Sequence, residues 1–188
     1  ACQSYINGPL KDRLNRQITT VFREAGILLE NSPIVNDPND HDQQTLLLQY
    51  PSVNTDSNQY IKPIVKIEVG AKSALDPHRF TAIKPYIHHE MPALNLTVQN
   101  VVTIDAERTF WDKIVILHGL RRWHDNRGVL RQQGHRISRH YYDIYKLVHS
   151  PIRVKALKNH NLALDCAHHA QIFFNSADLD LLRAIPGS

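Results

Sequence analysis

Two hydrophobic periods divide this chain, and no single-class fold satisfies both. Apolar side chains alternate with polar ones, or run together as in a buried strand, over Thr45–Tyr50, Tyr60–Val69 and Val98–Ile104. Alternation places successive residues on opposite faces of a pleated strand. Outside these stretches the apolar residues recur three and four apart, as on one face of a helix. Leu10, Leu14, Ile18, Val21 and Phe22 predict a helix from Pro9 to about Glu30. Phe110, Trp111, Ile114, Val115 and Leu117 predict one opened by Asp105 and ending near Gly119. Ser138 can cap a third helix over Arg139 to Val148, and Leu162 to Phe174 reads as a fourth. Phe80 to His89 fits neither period cleanly. The arrangement is α+β. Its expected division is an α+β portion over 1–104 and a helical portion of the same domain over 105–188.

Composition narrows the chemistry. With 188 residues, 42% of them hydrophobic and 21% charged, the chain is expected to fold as a soluble domain with a real core. No apolar run is long enough to span a bilayer. Cys2 and Cys166 form no CxxC, which leaves neither a disulfide framework nor a structural zinc site to argue. A reducing compartment, the cytoplasm by default, fits that usage. Seven glycines provide no GxGxxG and no GxxxxGK[ST], so phosphate binding must fall to side chains. GxSxG is absent as well. Of the twelve histidines, none stands in a metal-binding frame: His88-His89-Glu90 is not HExxH. Asp37, Asp40 and Asp42 lack the central glycine and closing glutamate of a calcium loop.

Positive charge is uneven. The net charge is +4, yet the window Arg121–His140 holds Arg121, Arg122, Arg127, Arg131, Arg136 and Arg139 against Asp125 alone, which makes it +5 by itself. Guanidinium groups are planar, permanently charged and able to donate paired hydrogen bonds to phosphate oxygens. A solvated basic loop explains the same run equally well. Lys66 and Glu68 share one face of the second strand, which an ordinary exposed sheet face would also explain. Lys113 sits on or beside an apolar helical stripe, where snorkelling is the plain account. Asp143 lies among tyrosines, one turn from Arg139, and a simple intrahelical pair could suffice.

Four blocks taken together are more specific than any of them singly: YPS at Tyr50, IVKIEVGAKS from Ile64, ERTFWDKIVILHG from Glu107 and RISRHYYDIYKL from Arg136. Their succession, from about Asn7 to Gly187, resembles the C-terminal part of the AbiEii/AbiGii-type nucleotidyltransferase family. That resemblance implies the later part of a polymerase-β-like fold, with a short mixed sheet followed by a helical region. It implies transfer of a nucleoside monophosphate from an NTP, with Mg2+ as cofactor, an RNA among the candidate acceptors, and a cognate antitoxin as partner. Glu68 matches the family's third acidic position and would be the metal carboxylate, with Lys66 beside it. Lys113 matches the lysine that contacts nucleotide phosphates. Asp143 matches the aspartate that orients the lysine or assists the acceptor, and Arg136 and Arg139 would bind substrate.

The family's GG[ST] turn and paired DxD acids have no counterpart in place. No GG occurs, and the DxD triplets are Asp40-His41-Asp42 and Asp178-Leu179-Asp180, both in the wrong context. With Met91 the only methionine, the chain reads as a transferase lacking its first portion, and is expected to hold metal poorly and be inactive alone. Two rival expectations remain: a non-catalytic module binding RNA or an antitoxin through its arginines, and a remnant that binds no nucleotide.

Overall fold

The computed structural model describes residues 2–52, 62–134 and 136–184. The chain separates into two units, Ala1–Ser73 and Ala74–Ser188.

In the first unit a short helix, α1 (Cys2–Tyr5), runs through a π-helical turn at Ile6–Leu10 into α2 (Lys11–Glu24). The helical segment therefore starts before Pro9. It also stops short of Glu30, because Gly26 takes a left-handed φ of 73° that breaks the α-helical path. Leu10, Leu14 and Ile18 pack with buried Ile6, Ile34 and Leu46. Three antiparallel strands follow, β1 (Ile34–Asn36), β2 (Thr45–Gln49) and β3 (Ile64–Glu68), in the order β1-β2-β3. Leu46 stands opposite Ile67 and Leu47 opposite Lys66, so the alternation of β3 turns Ile67 to the core and Lys66 away from it. The Tyr60–Ile61 start of the expected strand lies outside the described residues. Asn15 covers the edge strand, its side chain accepting from Ile34 N–H at 2.9 Å and donating to Ile34 C=O at 3.1 Å.

The acids of the β1–β2 connection build turns. Asp37 accepts from Asn39 N–H at 3.0 Å, and Asp40 accepts from Asp42 N–H at 3.0 Å and Gln44 N–H at 2.8 Å. These backbone donors satisfy the carboxylates, in keeping with a structural role for the loop.

In the second unit the ambiguous stretch resolves into β4 (His78–Ile83), paired antiparallel with β5 (Val98–Ile104) through short turns at Tyr86–His89 and Pro92–Leu94. The α+β class stands, but all strand pairing among the described residues is antiparallel rather than mixed. A parallel pair needs a crossover that returns the chain to the same end of the sheet, and within each of the two sheets every strand turns back onto the one before it.

α3 (Ala106–Arg127) is the spine of this unit, with α4 (Ser138–Val148), α5 (Ile152–Lys158) and α6 (His160–Phe174) around it. Phe110, Trp111 and Val115 meet Ala156, Leu162, Ala163, Cys166, Ala167, Leu179 and Leu181. Trp111 Nε1 donates to Ala156 C=O at 3.0 Å, which ties α5 to the core. α5 itself carries no clear sequence signal beyond Pro151. Gly119, expected to end α3, lies inside it. A Cβ there would sit 3.3 Å from Leu181 Cδ2 and 3.5 Å from Leu179 Cβ, so glycine serves close packing. The helix ends at Gly128, whose φ is 66°. Arg121 to Arg127 of the basic window are thus helical, and only a later part of it is loop. Ser138 lies inside α4 and makes no side-chain cap.

Candidate functional site

The start of α3 fixes its functional side chains. Asp105 C=O accepts from the Arg108 and Thr109 N–H groups, while its carboxylate takes Arg79 Nε at 2.6 Å instead of capping the helix. Two turns on, Lys113 reaches α4. Its Nζ lies 2.7 Å from Asp143 Oδ2 and 3.3 Å from His140 Nδ1. Asp143 is thus paired with Lys113 across two helices, not with Arg139 along one. The lysine side chain keeps 20% of its exposure, so the ammonium does not escape to water as snorkelling would have it.

His140 and Asp143 are one turn apart on α4 and grip the same ammonium. Lys113 can only donate, so Nδ1 of His140 accepts and the ring carries its proton on Nε2. Burial, then the charges of Lys113 and Arg139, push the His140 pKa below its ordinary value, against a smaller opposing pull from Asp143.

Beside this group is a cavity of about 360 Å³. α3 supplies its apolar wall through Ile116 and Leu120, and the 128–137 loop contributes Arg131, Gln132, Arg136 and Ile137. Arg139 and His140 of α4 complete the lining. Arg136 adopts a left-handed φ of 60°, uncommon away from glycine.

The six-arginine window separates into two sets. Arg121 pairs with Asp125 at 2.8 Å, Arg122 with Asp180 at 2.8 Å and Arg127 with Asp178 at 2.7 Å. Arg131, Arg136 and Arg139 line the cavity, and among the described residues no carboxylate is within ion-pair distance of them. Asp178 and Asp180 are accordingly counter-ions, held below the usual carboxylate range first by hydrogen bonds from Arg127 and Arg122. Trp123 lies under both Arg127 and Arg131, each guanidinium 5.5 Å from the ring centroid.

Lys66 and Glu68 lie in the first unit. Lys66 Nζ is 3.1 Å from Asp37 Oδ2 and 3.7 Å from Glu68 Oε1, and the Glu68 side chain is 71% exposed. Asp37 is lowered by the Asn39 N–H and then by Lys66. For magnesium this is a poor donor set, since the nearest neighbour of Glu68 here is an ammonium. Among the described residues no group of three or more His, Cys, Asp or Glu side chains could hold a metal ion. The described residues do not amount to a Mg2+ site.

One residue of the ERTFWDK block escaped sequence reasoning. Arg108 is 1% exposed and donates at 2.5 Å to both Asp165 Oδ2 and Asp76 C=O, with Asp112 at 3.7 Å. Its spacing four before Asp112 was the available signal. Asp165 and Asp76 are too far along the chain for any pattern to reveal. The contacts join α3, α6 and the approach to β4, which makes Arg108 a structural tie.

The second unit carries a cationic helical face, and the α+β architecture is compatible with a nucleotidyltransferase-like fold. The family described as nucleotidyl transferase AbiEii toxin, type IV toxin–antitoxin system, matches residues 4–186. The chain belongs to that family. No curated protein and no solved structure matches it. No helix among the described residues is long and apolar enough to cross a membrane.

Proposed function

We propose that this chain supplies the nucleotide- and acceptor-binding part of an AbiEii-type transfer of a nucleoside monophosphate from an NTP to an acceptor, with RNA as the acceptor favoured by its arginines. In such a transfer the acceptor oxygen bonds to the α-phosphorus, the bond to the bridging oxygen breaks, and pyrophosphate leaves. Negative charge grows on the leaving oxygens, and fixed cations there favour the transition state. Lys113 is the cation assigned to the donor phosphates. Asp143 and His140 hold its ammonium in place while no nucleotide is bound. Arg136 and Arg139 take phosphate oxygens of the acceptor.

The observation that carries this reading is the Lys113–Asp143 contact of 2.7 Å between α3 and α4, next to a cavity lined by three arginines. Glu68 is assigned the family's acidic position on β3, with Lys66 moderating its charge. Magnesium, if recruited, needs ligands beyond Glu68. Because the sequence has no GG[ST] turn and no DxD strand in position, the chain as given binds and orients rather than completing the reaction. The type IV family points to an antitoxin as protein partner, and the absence of a membrane-crossing helix is compatible with a cytoplasmic site of action.

Calorimetric titration of the chain with each NTP, with and without Mg2+, tests the reading. Binding that weakens tenfold or more in Lys113→Ala supports it. Equal affinity of Lys113→Ala and the unaltered chain for every NTP refutes the assignment. Binding of any polyanion with the same steep salt dependence, and no preference for NTPs, would favour a non-catalytic nucleic-acid-binding module.

A further inference from the structure

The cavity is chemically unlike a site for a metal-bound triphosphate. Among the described residues its lining holds three arginines and a histidine but no carboxylate to share a divalent cation. Its other wall is apolar, through Ile116 and Leu120. A single metal-free phosphate with a sugar and base attached satisfies both halves. The volume of about 360 Å³ is on the scale of one such unit.

α4 extends the pattern. Arg139, Tyr142 and Lys146 recur three and four apart and so share one side of the helix. Arg139 lines the cavity, Tyr142 is 60% exposed, and the Lys146 ammonium is 5.5 Å from the centre of its ring. Cation, exposed aromatic ring and cation in succession suit a single strand, its phosphates meeting charge and a base stacking on the ring face that Lys146 does not occupy. A duplex keeps its bases paired inside and could offer none to the cavity or the ring.

We propose that the cavity formed by Arg131, Arg136, Arg139 and His140 grips one nucleotide of a single-stranded nucleic acid, whose neighbouring base stacks on Tyr142. This extends and rests on the transfer reading by placing the acceptor strand, and it is tested apart from NTP binding. Neutral His140 contributes its Nε2 proton as a donor to the bound phosphate, and Nδ1 stays with Lys113.

The test is fluorescence anisotropy of a labelled single-stranded RNA 10-mer with the whole chain, in EDTA and without NTP. Tyr142→Ala, at an exposed position, should weaken binding about tenfold or more. Arg136→Gln and Arg139→Gln should each weaken it and reduce the slope of log affinity against log salt by about one. Arg121→Gln, which removes an arginine already paired with Asp125, should leave affinity within about twofold of the unaltered chain. Far-UV circular dichroism checks that each variant folds. The proposal is overturned if a blunt duplex binds as tightly as the single strand, if Tyr142→Ala binds normally, or if Arg121→Gln loses as much as Arg139→Gln. It is also overturned if an acidic peptide displaces the RNA at equal charge, which would mark a protein-docking surface. Retained RNA binding in Lys113→Ala with lost NTP binding would support both readings. Lost RNA binding in Tyr142→Ala with intact NTP binding would support this one independently.

Discussion

Coupling between Lys113 and Asp143 can be measured without any substrate. At 2.7 Å and an effective dielectric near 20, the gross attraction is about 6 kcal/mol. Most of it is offset by stripping water from a lysine with 20% of its side chain exposed and by freezing both side chains. Asp143 retains 39% exposure, which places the pair between surface bridges worth at most about 1 kcal/mol and buried ones whose disruption costs about 3–5 kcal/mol. The expected net coupling is about 1–2 kcal/mol. A double-mutant cycle of Lys113→Ala and Asp143→Ala, read by urea unfolding, isolates it from the loss of the His140 contact. Raising salt from low concentration to about 0.5 M should erode this coupling less than that of the exposed Arg121–Asp125 pair, because burial limits screening. A coupling below about 0.3 kcal/mol, or one that vanishes with salt, would show that α3 and α4 do not clamp this ammonium and would remove the physical basis of the site.

Stability should respond to His140 in a definite direction. Its folded pKa lies below the ordinary histidine value of 6.5, so as pH falls past 6.5 the unfolded chain takes up a proton that the folded one resists, and stability declines until the lowered folded value is passed. Urea unfolding at pH 8 and pH 6 should show a larger acid loss for the unaltered chain than for His140→Asn, and equal losses would contradict the placement of the ring. Cys166 is buried with its thiol pushed up to about 12, first by burial and then by Asp112, so native protein should present a single thiol, Cys2, to a disulfide reagent at pH 8 and two thiols in urea. Rapid native labelling of both would refute that packing. Gly119→Val should destabilise the second unit by about 1–3 kcal/mol through overpacking against Leu179 and Leu181, and thermal unfolding identical to that of the unaltered chain would contradict this close approach.

Local pattern and tertiary contact divided the work unequally along this chain. β5 spans Val98–Ile104, as its alternation predicts, and α4 is off by one residue, because strand and helix periods are properties of neighbouring side chains. Gly119 was misread for the same reason: a helix-ending glycine and one needed for close approach look identical until Leu179 and Leu181 are placed beside it. The arginine window is a fact of sequence, yet its division into three counter-charged residues and three cavity residues depends on where Asp178 and Asp180 return to α3.

The amino-acid order alone determined the α+β class, the family blocks and the candidates Lys66, Glu68, Lys113, Arg136, Arg139 and Asp143, since each rests on residue type and short spacing. Only the folded chain decided that Asp143 faces Lys113 instead of Arg139, that His140 joins them, and that Arg108 is buried between distant carboxyl and carbonyl oxygens. Ion pairs follow distance in space, and packing brings together charges whose separation along the chain carries no local signal.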